Sequence, residues 1–277
     1  MYQKIKENGK YFCIACLAVA NVFVWYAAYR EQGRGFLAVA FLDVGQGDSI
    51  FIESPTGNQI LIDGGPGGGS VLRELAKVMP FYDRSLDFTI STHPHADHLT
   101  GVLDVLNRYY VSGILHTVDL VASPMFQNMK VADLINMEAK EGQVINIGGG
   151  AYIKILSADE TSDPLIVARL VYGKTSFLLM SDATGQLEDQ LLSRLGRAAL
   201  DSDVLKVSHH GSRFSSGSNF LRAVSPELSV VQVGKNSYGH PNREAMSRIL
   251  DVGSKIMRTD ENGTVVLFDD GQTISAQ

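Results

Sequence analysis

Cysteine is nearly missing from this chain. The two present, Cys13 and Cys16, share one apolar segment near the N-terminus. Everything after Cys16 is free of thiols, which excludes disulfides and thiolate-zinc centres there. The Cys-x-x-Cys spacing suits redox chemistry, but an apolar run favours plain packing. A cationic excess is missing too: Lys and Arg total 24 against 30 Asp and Glu, a formal net charge of −6. That argues against a protein that grips nucleic acid by broad phosphate neutralisation. It leaves room for a nuclease, because bound metal ions supply positive charge locally. The Gly-rich run Pro66-Gly67-Gly68-Gly69-Ser70 lacks the Lys-Ser/Thr pair of a phosphate-binding P-loop. No internal repeat and no low-complexity tail is visible.

What is present describes a foldable chain, 277 residues long with 45% hydrophobic and 19% charged residues. That length accommodates one large or two small domains. Residues 11–29 carry no charge, which is long enough to cross a lipid bilayer as one helix. Trp25, Tyr26 and Tyr29 cluster at its end, as interfacial aromatics do. Lys4, Lys6 and Lys10 precede the run against Glu7, while Arg30 and Arg34 follow it against Glu31. The slight positive-inside bias favours a cytoplasmic N-terminus, which puts the rest of the chain outside the membrane. A cleaved signal peptide is the alternative, but the run is long for its apolar region and Trp25-Tyr26-Ala27-Ala28 is a poor cleavage site. The expected organisation is a tail, single-pass transmembrane anchor and linker over 1–35, then a folded domain over 36–277.

Within 36–277, short apolar runs alternate with few helices. Phe36 to Leu42 reads as a strand; Ser49 to Glu53 and Gln59 to Ile62 read as a hairpin around the turn residues Ser54 to Asn58. Ser70 is the expected cap of a helix carrying Val71, Leu72, Leu75 and Met79. Val131 to Ala139 reads as a helix, and Leu187, Leu191, Leu192 and Leu195 mark another. Asn242 caps a later one and Gly253 stops it. Pattern alone gives mixed α/β and no more.

Only 7 histidines occur, and three of them sit in Thr92-His93-Pro94-His95-Ala96-Asp97-His98. An apolar strand (Phe88, Ile90) precedes this stretch and an amphipathic helix (Leu99, Val102, Leu103, Leu106) follows it. The ligands therefore lie on a strand-to-helix loop, where α/β layers expose their chemistry. His93 and His95 can reach one ion, Asp97 and His98 a neighbour; such donors suit zinc, manganese or iron(II). Two close ions need a shared anion. Asp182, at the end of the run Phe177 to Met180, is the candidate, its alternative being a helix cap. His209 and His210 also end a strand. Two neighbours do not easily point at one ion, so His209 is read as ligand and His210 as a contact to substrate or to a ligand.

These residues resemble the HxHxDH signature of the metallo-β-lactamase superfamily. The flanking motifs Phe41 to Ser49, Leu61 to Gly65, Val207 to Ser212 and Tyr238 to Pro241 resemble one branch, the hydrolase domain of ComEC-type competence proteins. The resemblance runs from about Phe36 to the end. It implies a four-layer αβ/βα sandwich preceded by one transmembrane helix, with two divalent ions, Zn or Mn, at one edge. It implies Asp182 as the bridging carboxylate. A histidine often found mid-chain is replaced here by Ser162-Asp163-Pro164, so Asp163 is the expected stand-in ligand of the first ion, with His116 the other mid-chain candidate. Asp43, Gln46 and Asp48 look like the branch's first motif, and Asp63 is expected to brace the ligand loop.

The implied chemistry is attack by hydroxide held between the ions, oriented by Asp97. His240 is expected to bind a phosphoryl oxygen or protonate the leaving group, with Ser212 and the Gly211 backbone nearby. The expected activity is phosphodiester hydrolysis, with single-stranded DNA the substrate that the competence resemblance implies and a wall-polymer or lipid headgroup ester the alternative that the acidic charge balance leaves open. Hydrolysis of a lactone, thioester or β-lactam uses the same ions. A binding module with a vestigial site is the third reading.

Overall fold

The computed structural model describes residues 2–31, 35–118, 120, 126, 134–158 and 164–277. Two compact units divide the chain, Met1–Gly35 and Phe36–Gln277. The first contains helix α1 (Tyr2–Glu31). Its stretch Gly9–Tyr26 is long and apolar enough to cross a membrane, and its side chains are exposed.

The second unit is built from short strands. In chain order these are β1 (Leu37–Phe41), β2 (Ile50–Glu53), β3 (Gln59–Ile62), β4 (Ser85–Ser91), β5 (Tyr110–His116) and β6 (Ile135–Glu138), then β7 (Val144–Gly148) and β8 (Ala151–Ser157). They continue as β9 (Val167–Tyr172), β10 (Thr175–Leu179), β11 (Val204–Lys206), β12 (Leu228–Val231), β13 (Lys255–Arg258), β14 (Val265–Asp269) and β15 (Ile274–Ala276). The longer helices are α2 (Ser70–Val78), α3 (Ala96–Leu106), α4 (Gly185–Leu195), α5 (Ser218–Val224) and α6 (Arg243–Asp251). Among the described residues one sheet runs β15-β14-β1-β2-β3-β4-β5-β6 and the other β13-β12-β11-β10-β9-β8-β7.

Strand alternation sorts side chains between two faces. Leu37, Val39 and Phe41 of β1 join Ile52, Ile60, Ile90, Ile155, Leu170, Phe177 and Val230 in a core between the sheets. Ala40, Phe51 and Leu61 face the other way, onto Val71 and Leu75 of α2 and Val105 of α3. On the second sheet Val167, Leu178 and Leu205 pack under Leu191, Phe220 and Ile249 of the outer helices. The result is the expected four-layer αβ/βα sandwich.

The β2–β3 hairpin pairs Ile50 with Ile62, as its turn chemistry dictates. Two local expectations change. Part of the expected helix Val131–Ala139 is strand β6, parallel to β5 with Gly113 opposite Ile135. The open edge of β5 offers ladder hydrogen bonds, and this outweighs a weak helical preference. Ser70 does not cap α2; Gly69 at φ 72 holds the cap position, and the Ser70 hydroxyl donates to Gly67 O at 3.0 Å.

The strands β3, β4 and β5 are parallel, as are β10, β11 and β12. The carboxyl ends of β3, β4, β10, β11 and β12 lead directly into Asp63, Thr92-His93, Ser181-Asp182, His209-His210 and Gln232. That shared end positions the site.

Candidate metal centre

Seven side chains face one another: four from the loop after β4 and the first turn of α3, one each from the loops after β10 and β11, and Asp48 from the turn before β2. Ligand atoms of His93, His95 and Asp182 lie within 4.8 Å of one another, as do those of Asp97, His98 and His210, and of Asp48, His98 and Asp182. Asp182 stands between the groups. Its Oδ1 is 3.4 Å from both His98 Nε2 and His210 Nε2, and its Oδ2 is 3.9 Å from His93 Nε2. The cap alternative for Asp182 fails, because Thr184 caps α4 by accepting from Leu187 N at 3.3 Å.

The tautomers follow from the partners behind the rings. Asp63, 1% exposed, accepts from Thr92 N at 2.8 Å and from the Thr92 hydroxyl at 2.6 Å. That hydroxyl has spent its proton, so toward His93 Nδ1, 3.0 Å away, it accepts. His98 Nδ1 lies 2.8 Å from Asp63 Oδ2 and donates to it. Both rings therefore turn Nε2 toward Asp182. Asp63 acts as the brace that its motif suggests, fixing two imidazoles at once. His210 donates from Nδ1 to Gln232 O at 2.9 Å, which aims its Nε2 the same way.

Burial and charge set the ionisation. Burial pushes His93 well below its ordinary value, helped by His98, so it is a neutral ring. Burial acts to lower His98 and His210 too, but carboxylates outweigh it. Asp182 and Asp63 raise His98 well above the ordinary range, and Asp48, Asp97 and Asp182 push His210 up to about 9. Burial would raise Asp182, yet His98, His210 and Lys206 hold it well below the usual carboxylate range.

The adjacent histidines take the opposite places from those expected. His210 is inside the cluster, while the His209 side chain is 40% exposed, with Nε2 3.7 Å from Asp182 Oδ2. Both residues have left-handed backbones, φ 48 and 52. Such strain costs on the order of 1–3 kcal/mol per residue and gathers at functional sites. Here it lets consecutive side chains diverge, one inward and one to the rim. His240 meets His209 at the rim, ring centroids 5.4 Å apart; burial and the neighbouring imidazoles lower it.

Other expected residues lie elsewhere. Asp163 is outside the described residues. His116 is spent on Thr117 O at 2.8 Å and on Asn136, away from the cluster. Ser212 is buried and its hydroxyl accepts from Phe214 N at 3.3 Å, so it turns to its own loop. Asp43 accepts from Gly45 N at 3.4 Å, shaping a turn. Two residues escaped the sequence reading. Lys206 is fully buried, ion-paired to Asp48 and donating to Ser181 O at 3.1 Å. Glu188, also fully buried, accepts from Ser208 Oγ at 2.6 Å, Ser216 N at 2.8 Å and Gly217 N at 2.9 Å, which ties the histidine loop to α4. A lysine inside Val204-Leu205-Lys206-Val207 was the available signal for the first.

The arrangement fits metal ions. His98 Nε2, His210 Nε2 and Asp182 Oδ1 are buried with no hydrogen-bond partner, and all three face one small space. Buried polar atoms without partners are costly, and a cation would satisfy all three together. Imidazole and carboxylate donors without thiolate suit divalent ions.

Two packed sheets flanked by helices, with a histidine–aspartate cage at their strand ends, define a metallo-hydrolase class. Residues 42–235 match the metallo-beta-lactamase superfamily, and the chain belongs to it. It is 27% identical over 280 residues to ComE operon protein 3 of Bacillus subtilis (strain 168), covering 91% of this chain and 35% of that protein. It is 30% identical over 250 residues to Recombination protein 2 of Haemophilus influenzae, covering 86% of this chain and 29% of that one. The chain spans about a third of the length of both relatives. The metallo-beta-lactamase fold protein YhfI from Bacillus subtilis superposes with TM-score 0.61 at 12% identity, over 84% of this chain and 99% of that one. That likeness shows the fold.

Proposed function

We propose that the chain is a membrane-anchored, extracytoplasmic hydrolase of phosphodiesters that works with two divalent ions, Zn or Mn. The observation that carries this reading is the convergence on Asp182 of buried, unpartnered imidazole nitrogens from β4 and β11 loops. His93, His95 and Asp182 would hold one ion; Asp97, His98, His210 and the shared Asp182 the other. Asp163 stays a candidate for the first. Divalent ions there would polarise a phosphoryl oxygen and make water nucleophilic near neutral pH.

The protein's own groups do the rest. Asp97, 35% exposed at its side chain, accepts a hydrogen bond from the attacking water at the mouth. Burial would raise it, but His210 and His98 keep it below its ordinary value and so an acceptor. His209 and His240, paired at the rim and both lowered by burial, would donate N–H hydrogen bonds to phosphoryl oxygens as neutral rings; protonation of the leaving alkoxide would need the phosphate's charge to lift one of them first. Two imidazoles on the open side suit a group with several oxygens better than a single carbonyl. The recombination name of one relative favours a nucleic-acid phosphodiester over a carbon ester.

The test uses the full chain in detergent, loaded with Mn²⁺ or Zn²⁺. Bound metal is measured, then turnover of a generic phosphodiester, single-stranded DNA and a lactone. Phosphodiester turnover is expected, with Asp97→Asn and Asp182→Asn falling beyond the roughly 10–100-fold that loss of even an outer partner costs a metal site. Turnover of the lactone alone would overturn the reading in favour of carbon chemistry. Metal bound without turnover of any substrate would leave a binding module.

A further inference from the structure

Beside Asp97 lies a groove of about 650 Å³, lined among others by Gln46, Lys235, Asn236 and Tyr238. That volume exceeds what a lone phosphate needs and falls within the range of small-ligand clefts, about 300–1,000 Å³. Its walls are unlike each other. Asp97 on one side belongs to the metal cluster. The other side is the loop after β12, where Lys235 is exposed and makes no ion pair among the described residues. Tyr238, on the same loop, is 73% exposed.

A solitary exposed tyrosine is ordinary. This one is held in place. The Asn236 carboxamide accepts from Tyr238 N at 3.0 Å and His240 N at 3.1 Å, and donates to Gly234 O at 2.9 Å and His240 O at 2.8 Å. One side chain thus ties the loop together with four hydrogen bonds. Gly234 in turn packs backbone to backbone on Gly45 and Gln46, where no side chain fits. The aromatic is therefore presented on a rigid loop, which lowers the entropy cost of binding against it.

The order of rings leads to the metal cluster. Tyr238 lies 6.0 Å from the His240 ring, His240 lies 5.4 Å from His209, and His209 Nε2 lies 3.7 Å from Asp182. Phe214, the exposed aromatic on the loop after the histidines, already carries the Arg213 guanidinium 4.4 Å over its face. Tyr238 is the open platform.

We propose that this groove seats the nucleotide flanking the scissile bond of a single-stranded nucleic acid, with Tyr238 stacked on its base and Lys235 paired with its outer phosphate. The proposal rests on the phosphodiesterase reading above and deepens it. An open aromatic beside one cation is how single strands are held without sequence readout. It also suits an acidic chain, since stacking needs no broad positive surface. A wall polymer or lipid headgroup ester carries no base to stack.

The test compares an oligothymidylate with the same strand carrying abasic residues, using the full chain in detergent loaded with Mn²⁺. A lower KM for the base-bearing strand is expected, by about five- to tenfold. That preference should vanish in Tyr238→Ala and survive in Tyr238→Phe. Salt dependence of strand binding should flatten by about 0.7 in log–log slope in Lys235→Gln, one phosphate contact's worth. A strand carrying 5-iodouracil should photo-crosslink to the peptide containing Tyr238, a readout that needs no turnover. Equal KM values for the two strands, a preference that survives Tyr238→Ala, or a crosslink mapping elsewhere would overturn the subsite. Failure of every phosphodiester with the crosslink still at Tyr238 would sink the catalytic reading and keep the nucleotide-binding groove.

Discussion

His209 and His210 follow each other in the chain yet face different environments, and their chemistry separates accordingly. His210 sits among Asp48, Asp97 and Asp182, which push it up to about 9 against the effect of burial. An imidazole lifted above its unfolded value of about 6.5 stabilises the metal-free fold fully below that pH, and the contribution fades as pH rises through about 9. The same proton must leave before the ring can take a cation. Metal-free protein should therefore lose stability relative to His210→Gln between pH 6.5 and 9, read as urea midpoints, while its metal uptake strengthens over the same window. A wild type whose advantage over His210→Gln is constant with pH would show that His210 is not held in this carboxylate cage. The ligand types of this cage were legible in the sequence, because His93, His95, Asp97 and His98 crowd one loop. Which of two adjacent histidines faces inward was not legible, because it depends on two left-handed backbones that only the packed loop enforces. Lys206 was missed for a related reason. Its value lies in Asp48, a partner 158 residues away in the chain.

At the scale of elements, the ligand loop is positioned by how closely α3 approaches the chain after β3. Gly64 N donates to His98 O at 2.7 Å, and Gly101 N donates to Gly65 O at 3.0 Å. A Cβ on Gly101 would run into the Gly64 backbone. In an exposed helix, glycine to alanine gains about 1 kcal/mol. Here the sign should reverse: Gly101→Ala should cost about 1–3 kcal/mol by overpacking. The same shift should disturb His98 and with it metal affinity, so urea unfolding and metal retention are measured together. A Gly101→Ala variant as stable as wild type would mean that α3 can slide and that the approach does not set the site. The strand before this helix was readable as an apolar run, and α3 as a helical repeat. β6 was not, because four largely exposed residues become a strand only through the edge that β5 offers. The order of strands in the sheets was likewise invisible to periodicity, since it lives in pairings across the whole chain; the family resemblance supplied only the four-layer arrangement.

The whole molecule combines an acidic hydrolase-family unit with an apolar helix that carries many exposed large side chains. Tyr11, Phe12, Val19, Val22 and Trp25 are each at least 70% exposed in α1. Eighteen residues at about 1.5 Å rise give roughly 27 Å, close to the hydrocarbon thickness of a bilayer, about 30 Å. Lipid is the solvent that makes such a surface favourable, and the three lysines before it, Lys4, Lys6 and Lys10, set the expected orientation. In the proposed orientation the hydrolase unit would face polymers outside the membrane. The chain offers a clean way to check this, because Cys13 and Cys16 are its only thiols and both lie within the apolar stretch. Lys255→Cys, on the exposed start of β13, adds one accessible thiol far from the metal cluster in sequence. A membrane-impermeant maleimide should label this variant in intact cells and leave wild type unlabelled. Labelling of Lys255→Cys only after lysis would reverse the orientation, place the hydrolase on the cytoplasmic side, and remove external polymers from its substrates. Labelling of wild-type Cys13 and Cys16 in intact cells would mean that the helix does not lie in lipid at all.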